Sequence, residues 1–218
     1  MNRYKSKQLV AFLKRITPKT IGGLNRIKII YRPYICPLND ILLYIPPNAA
    51  LFDIGCGNGS FLALTAHFNK VHKLGGIEIA QQLVDNANKL LQEVAPFASS
   101  DIKKFDGKIV PALKGYSHVT LTDVYHHVPA LQQVDFLQQL FTQMDSGTVF
   151  ILKDIDASKK PWIWFNKLHD LAAAGEIGNE ISLQKMSTYL QKIGFVIEYS
   201  DYTRMLWYPH YLIVCKRP

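Results

Sequence analysis

Three alternate glycines followed by acids at wide, regular intervals are the residues of this chain best suited to chemistry. Leu51-Phe52-Asp53-Ile54-Gly55-Cys56-Gly57-Asn58-Gly59 closes a short apolar run. Without Cβ atoms, such a loop lets a ligand lie against backbone N–H groups at the start of the following helix. Glu78 stands 25 residues beyond Asp53, at the end of the next apolar run, where a carboxylate can accept from both hydroxyls of a ribose. Asp101 stands 23 residues further, at the end of a third and weaker run, where an acid can accept from an adenine amine. Dinucleotide sites carry G-x-G-x-x-G. Here the third glycine comes at 59 and Ser60 takes the dinucleotide position, a spacing that suits a cofactor with no pyrophosphate to cradle.

A second set of polar residues follows two later apolar runs: Thr122-Asp123-Val124-Tyr125-His126-His127-Val128-Pro129 and Lys153-Asp154-Ile155-Asp156. Either histidine can serve as a general base, or one can cap the next helix with neither taking part in catalysis. Asp123, Asp154 and Asp156 offer the hard oxygen ligands that Mg²⁺ prefers, so a metal site is the competing reading. Aromatic residues gather in Pro161-Trp162-Ile163-Trp164-Phe165, with His169 beyond, and again in Trp207-Tyr208-Pro209-His210. At helical spacing Trp162, Trp164 and Phe165 cannot share one face, so at least one is expected against solvent, a substrate or a membrane.

The elements that must position these groups alternate. Ala49 to Ile54, Gly75 to Ile79, Phe97 to Ile102, His118 to Thr122 and Thr148 to Lys153 read as strands. Helical periodicity lies between them, with Phe61, Leu64, Thr65 and Phe68 on one face, then Leu83, Ala87, Leu90, Leu91 and Val94, then Leu131 through Met144. Strand and helix in alternation imply parallel strands with right-handed crossovers. The C-terminal third departs from this: a helix over 182–193 stops at Gly194, and two strands, Phe195 to Tyr199 and Tyr211 to Cys215, follow with only a loop between them. The expectation is a doubly wound α/β fold, a mostly parallel seven-stranded sheet with helices on both faces and a C-terminal antiparallel hairpin. An aromatic helical insertion is expected at about 157–180.

Composition agrees with one globular domain. The chain has 218 residues, 48% hydrophobic and 19% charged, without repeats or low-complexity tracts. No apolar run is long enough to span a bilayer, no signal peptide is evident, and three scattered cysteines make neither a disulfide framework nor a metal knuckle, so a cytoplasmic setting is expected. The net charge of +8 is local: residues 1–32 hold nine Lys and Arg and no acid, and the rest is nearly neutral. That distribution argues against a dedicated nucleic-acid binder. Residues 1–30 are expected to form a separate basic segment before a domain over 31–218. Leu9, Phe12, Leu13 and Ile16 would form the apolar stripe of an amphipathic helix. Such a helix fits an acidic carrier protein or peripheral contact with an anionic membrane, at its inner surface, through residues 1–20; the competing reading is a lid over the ligand loop.

Over roughly residues 31–218 the chain resembles the class I S-adenosylmethionine-dependent methyltransferases. The resemblance implies that Asp53 orders the loop, Gly55, Gly57 and Gly59 let S-adenosylmethionine lie flat, Glu78 holds its ribose and Asp101 faces its adenine. Tyr34, Cys56, Ile79, Ile102 and Asp123 complete the implied cofactor contacts. His127, His126 and Asp154 are the implied catalytic groups, His127 holding the family's second-histidine position. Trp162, Trp164, Phe165, His169 and Trp207 are the expected substrate contacts. Ile155 stands where the family's metal-dependent members carry asparagine, and Asn-Pro-Pro-Tyr is absent at 123–126, which points away from a metal and from nucleic-acid substrates. The function expected is methylation, O-methylation favoured, of a small aromatic or lipophilic acceptor, lipid-linked or carrier-bound acceptors included. The alternatives are a non-catalytic protein that binds S-adenosylmethionine, or a nucleic-acid or protein methyltransferase.

Overall fold

Short apolar runs ending in glycine or an acid become strands because each can be buried on both faces, and the amphipathic stretches between them cover those faces. The computed structural model describes residues 4–158 and 179–218. They form a mixed seven-stranded sheet with helices between the strands, divided into two units, 1–108 and 109–218.

In the first unit, β1 (Ala50–Ile54), β2 (Lys73–Glu78) and β3 (Ser99–Lys104) pair in parallel in the order β3-β2-β1. Ala50 lies opposite Lys73 and Lys73 opposite Ser99. Helices α4 (Ser60–Asn69) and α5 (Gln81–Val94) make the crossovers. Ahead of β1 come α1 (Ser6–Ile16), α2 (Gly23–Tyr31), a one-turn 3-10 helix over Arg32–Tyr34, and α3 (Leu38–Leu42).

Helix α1 is packed into the unit rather than standing apart from it. The apolar stripe of α1 is spent inside the unit: Leu9, Phe12 and Leu13 are buried. Phe12 stacks on His67 of α4 with ring centroids 4.3 Å apart, and the Tyr4 hydroxyl donates to the Phe68 carbonyl at 2.6 Å. Burial of each such side chain contributes roughly 1.5–3 kcal/mol, so α1 is held as core. An interfacial helix presenting Leu9, Phe12 and Leu13 to a membrane is therefore overturned. Lys5, Lys7, Lys14 and Arg15 remain exposed on its other side.

In the second unit, β4 (His118–Thr122) and β5 (Val149–Ile155) are parallel, while β7 (Tyr208–Lys216) runs antiparallel to both β5 and β6 (Val196–Met205), in the order β4-β5-β7-β6. Helices α6 (Gln133–Gln143) and α7 (Leu183–Ile193) belong to this unit. The Ser182 side chain caps α7 by accepting from the Lys185 N–H at 3.3 Å, and Gly194 ends it. The hairpin is longer than its sequence suggests, turning at Leu206 and Trp207. The expected helix start at Leu131 fails, since Leu131 is fully exposed ahead of α6. The expected aromatic insertion, with Trp162, Trp164, Phe165 and His169, lies outside the described residues.

His118, the first residue of β4, is buried beside the Ser117 hydroxyl. Burial holds its imidazole down to about 4, against about 6.5 in an unfolded chain. Between those values the unfolded chain takes up a proton that the folded one refuses, so stability falls as pH drops from about 6.5 to 4. The expected loss approaches ~3 kcal/mol. Denaturant titrations over this range should show His118→Gln flattening the slope; an unchanged slope would assign the effect to other groups.

Candidate functional site

Each unit carries one polar constellation at the C-terminal ends of its strands. In the first unit, Gly55, Gly57 and Gly59 all adopt left-handed backbone, with φ of 71°, 55° and 78°. The Gly55 and Cys56 N–H groups donate to the Ile77 carbonyl at 2.8 and 3.1 Å, which fastens the loop to β2. A Cβ on Gly57 would meet nothing within 4 Å, so this glycine is required by its conformation and leaves open space above the loop. Gly59 differs: a Cβ there would stand 3.0 Å from the Ala87 Cβ, so its bareness lets α4 and α5 approach.

Glu78 ends β2 and reaches back. One carboxylate oxygen accepts from the Gly57 N–H at 3.0 Å, the other from the Ala80 N–H at 3.1 Å. Each oxygen keeps a second lone pair for a ligand hydroxyl. Asp53 is buried directly ahead of the loop. Cys56 is buried too, and burial, with Asp53 and Glu78 nearby, pushes its thiol far above the usual range, so it is no nucleophile. Ile79 is exposed beside Glu78, and Tyr34 is exposed in the 3-10 turn.

Asp101 is not at a strand end. After Pro96, β3 begins only at Ser99, which puts Asp101 in mid-strand opposite Gly75, its exposed carboxylate 2.7 Å from the Lys103 ammonium. The strand's exit falls at Phe105 and Asp106, where the Phe105 N–H donates to the Glu78 carbonyl. Ile102 is a buried core side chain whose carbonyl accepts from Asn88.

In the second unit, Asp123 follows β4 at φ 57°, a left-handed conformation costly for a residue with a side chain. Two bonds hold it there: its N–H donates to the Lys153 carbonyl at 3.0 Å, and its carboxylate pairs with the Lys153 ammonium. His126, 4% exposed, is fixed by Asp154, 2% exposed. Its Nδ1 lies 2.6 Å from one carboxylate oxygen and its backbone N–H donates to the other at 3.1 Å. The two contacts to one carboxylate hold the ring in a single orientation. His127 is exposed, its ring centroid 4.1 Å from that of His126.

Three members of this cluster escaped the sequence reading. Lys153 is buried with no exposed side-chain surface; its signal was a lone cation closing the apolar run Val149 to Leu152. Tyr211 stands opposite Asp154 in the β5–β7 pairing, and Tyr125 lies beside His126. Their hydroxyls are buried with no partner among the described residues. Burial first, and the Asp154 carboxylate among further causes, drives both phenols well above their usual range, so they stay protonated donors. Trp207 sits at the tip of the β6–β7 hairpin, 42% exposed, packed on Tyr208. Among the described residues no three of His, Cys, Asp and Glu are gathered to hold a metal.

A family model described as a methyltransferase domain matches residues 28–200. A carboxy-S-adenosyl-L-methionine synthase of Campylobacter fetus is 24% identical over 130 residues, 56% of this chain and 53% of that protein, so the chain spans about half the length of this curated relative. The magnesium protoporphyrin IX methyltransferase of Synechocystis, solved with bound S-adenosylhomocysteine, has a TM-score of 0.70 at 18% identity, covering 95% of this chain and 94% of that one. The mitomycin 7-O-methyltransferase has a TM-score of 0.69 at 21% identity, covering 96% and 60%. At these identities the structural likeness establishes the fold.

The Asp123–Lys153 pair makes an asymmetric prediction, because the lysine side chain is fully buried and the aspartate 25% exposed. Asp123→Asn strands a buried ammonium and should cost about 3–5 kcal/mol, whereas Lys153→Met leaves a carboxylate that water can reach and should cost less. Urea unfolding of the two variants tests this. Equal losses would mean that the pair's burial does not set its energetics.

Proposed function

The chain belongs to the methyltransferase-domain family, and from that premise we propose that it methylates an oxygen of a small aromatic or lipophilic acceptor with S-adenosylmethionine as donor. The glycine loop carries this reading: three left-handed glycines, open space over Gly57, and a Glu78 carboxylate that braces the loop while keeping a lone pair on each oxygen. A loop of this kind fits a flat nucleoside with a ribose diol. When bound, the cofactor supplies an activated methyl and a neutral thioether leaving group.

This chain's own residues have three tasks. Glu78 fixes the ribose through both oxygens, and Asp106, at the exit of β3, takes the adenine-facing role first expected of Asp101. Gly57 lets the backbone approach the ligand. A hydroxyl acceptor must also lose its proton as the new C–O bond forms, and the role of accepting it is assigned to His127, the exposed imidazole of the pair. His126 then serves as a positioning residue, locked by Asp154 and packed against the His127 ring. The acceptor class is supported by two solved relatives of the same fold, whose names give a porphyrin and mitomycin as the molecules methylated. Trp207 and the aromatic residues of 161–169 are the proposed acceptor contacts.

Calorimetry with S-adenosylhomocysteine tests the ribose assignment. Glu78→Ala should weaken binding by about 1.5–3 kcal/mol through loss of charge-assisted hydrogen bonds. Glu78→Gln, which can still accept one backbone N–H, should weaken it less. Unchanged affinity in both variants would remove Glu78 from the cofactor site.

The reaction is tested with methyl-labelled S-adenosylmethionine and fractionated host extract, in buffer containing EDTA. Label is expected in small lipophilic compounds, and His127→Ala should lower its rate of entry about 10²-fold with cofactor affinity unchanged. Label in protein or nucleic acid would overturn the acceptor class. Full activity of His127→Ala would overturn its role as base.

A further inference from the structure

With the stripe of α1 spent in the core, a different apolar face of the basic N-terminal region is turned outward. On α2, Leu24, Ile27 and Tyr31 fall at i, i+3 and i+7, one side of the helix. They are 69%, 55% and 46% exposed. Tyr34 of the next turn, also exposed, stacks on Tyr31 at 6.3 Å between ring centroids. Ile30, about 100° round the helix from Tyr31, is the residue that enters the core. The outward patch thus carries four large exposed side chains, three on α2 and Tyr34 just beyond it.

Charge says what this face meets. Lys19 stands just ahead of α2 and Lys28 lies next to the stripe on the helix wheel, both exposed, while Lys5, Lys7, Lys14 and Arg15 are exposed on α1. No acid occurs through residue 32. We propose that the outward face of α2 docks on an anionic lipid surface, with Leu24 and Ile27 entering the acyl boundary, the two tyrosines at headgroup level and the lysines over the phosphates. Apolar residues flanked by cations, with aromatic rings carrying a polar tip, make up the composition of an interfacial helix. A protein partner would ask for patterned, mixed charge. The uniform positive sign here matches a uniformly negative surface instead. A helix of nine residues makes this contact shallow and reversible.

The test uses the full chain and sedimentation with phosphatidylcholine vesicles, with and without phosphatidylglycerol. It does not depend on catalysis, so its failure is separable from failure of the proposed reaction. Binding is expected to the anionic vesicles only, and to fall as salt shortens the screening length. Removing residues 1–20 would take Leu9, Phe12 and Leu13 out of the core, so point variants on exposed positions are used. The double variant Leu24→Ser/Ile27→Ser should bind at least about tenfold more weakly. Lys19→Gln and Lys28→Gln should each cost about fivefold. Both sets should keep the parent's unfolding temperature. The proposal is overturned if the parent ignores anionic vesicles at low salt, or if the Ser/Ser variant binds them as tightly as the parent does.

Discussion

Two adjacent buried charges at the end of β5 cannot remain in the protein without partners. Lys153 and Asp154 are 1% and 2% exposed, and as neighbours in a strand they point to opposite faces. Each reaches into the same short segment after β4. Lys153 takes the Asp123 carboxylate and Asp154 takes the His126 imidazole and backbone N–H, so the turn from Asp123 to His127 is stapled from both sides. This accounts for the left-handed conformation of Asp123, which a residue with a side chain would otherwise avoid. The exposure of His127 follows as well: its neighbour is fixed inward, and the next residue of a 3-10 turn must then face elsewhere.

A carboxylate organises the first unit in a comparable way, but with spare capacity. Glu78 accepts two backbone N–H groups across a gap of 21 residues in one case and two in the other, tying the glycine loop to the start of α5. Glycines at 55, 57 and 59 give the loop freedom, and Glu78 takes it away again in one conformation. A loop braced before any ligand arrives loses less entropy when one binds. Because a carboxylate oxygen can accept twice, the brace and the ligand contact do not compete. Asparagine or glutamine at 78 would have one oxygen for two tasks.

The parts legible in the sequence were those governed by local chemistry. Strand β4 runs from His118 to Thr122 as its apolar pattern indicates, α7 stops at Gly194, and the glycine loop sits between β1 and α4. What escaped depends on partners distant in sequence. The register of β3 is set by pairing with β2, so an acid 23 residues past Glu78 fell in mid-strand, while the acid at the exit, Asp106, looked like an ordinary loop residue. An amphipathic stripe such as Leu9, Phe12 and Leu13 has the same period whether it faces a core or a membrane, and only α4 decides. The α2 stripe is faint in the sequence because Ile29 and Ile30 beside it blur the periodicity. The burial of Lys153 likewise depends on a distant partner, the Asp123 carboxylate.

The same ion pairs bear on the aspartates that resemble a Mg²⁺ site in the sequence. Hard cations bind carboxylates that are free to turn toward them. Asp123 already neutralises Lys153, and Asp154 already has one oxygen on Nδ1 of His126 and the Ile155 N–H, the other on the His126 N–H. Asp156 accepts from the Ser158 N–H. Recruiting Asp123 to a metal would leave the Lys153 ammonium buried beside a dication, with repulsion added to lost pairing. That penalty of several kcal/mol would have to come out of the metal's binding energy. Asp123 and Asp154 are thus already committed, one to the Lys153 ammonium and the other to the segment that carries the two histidines.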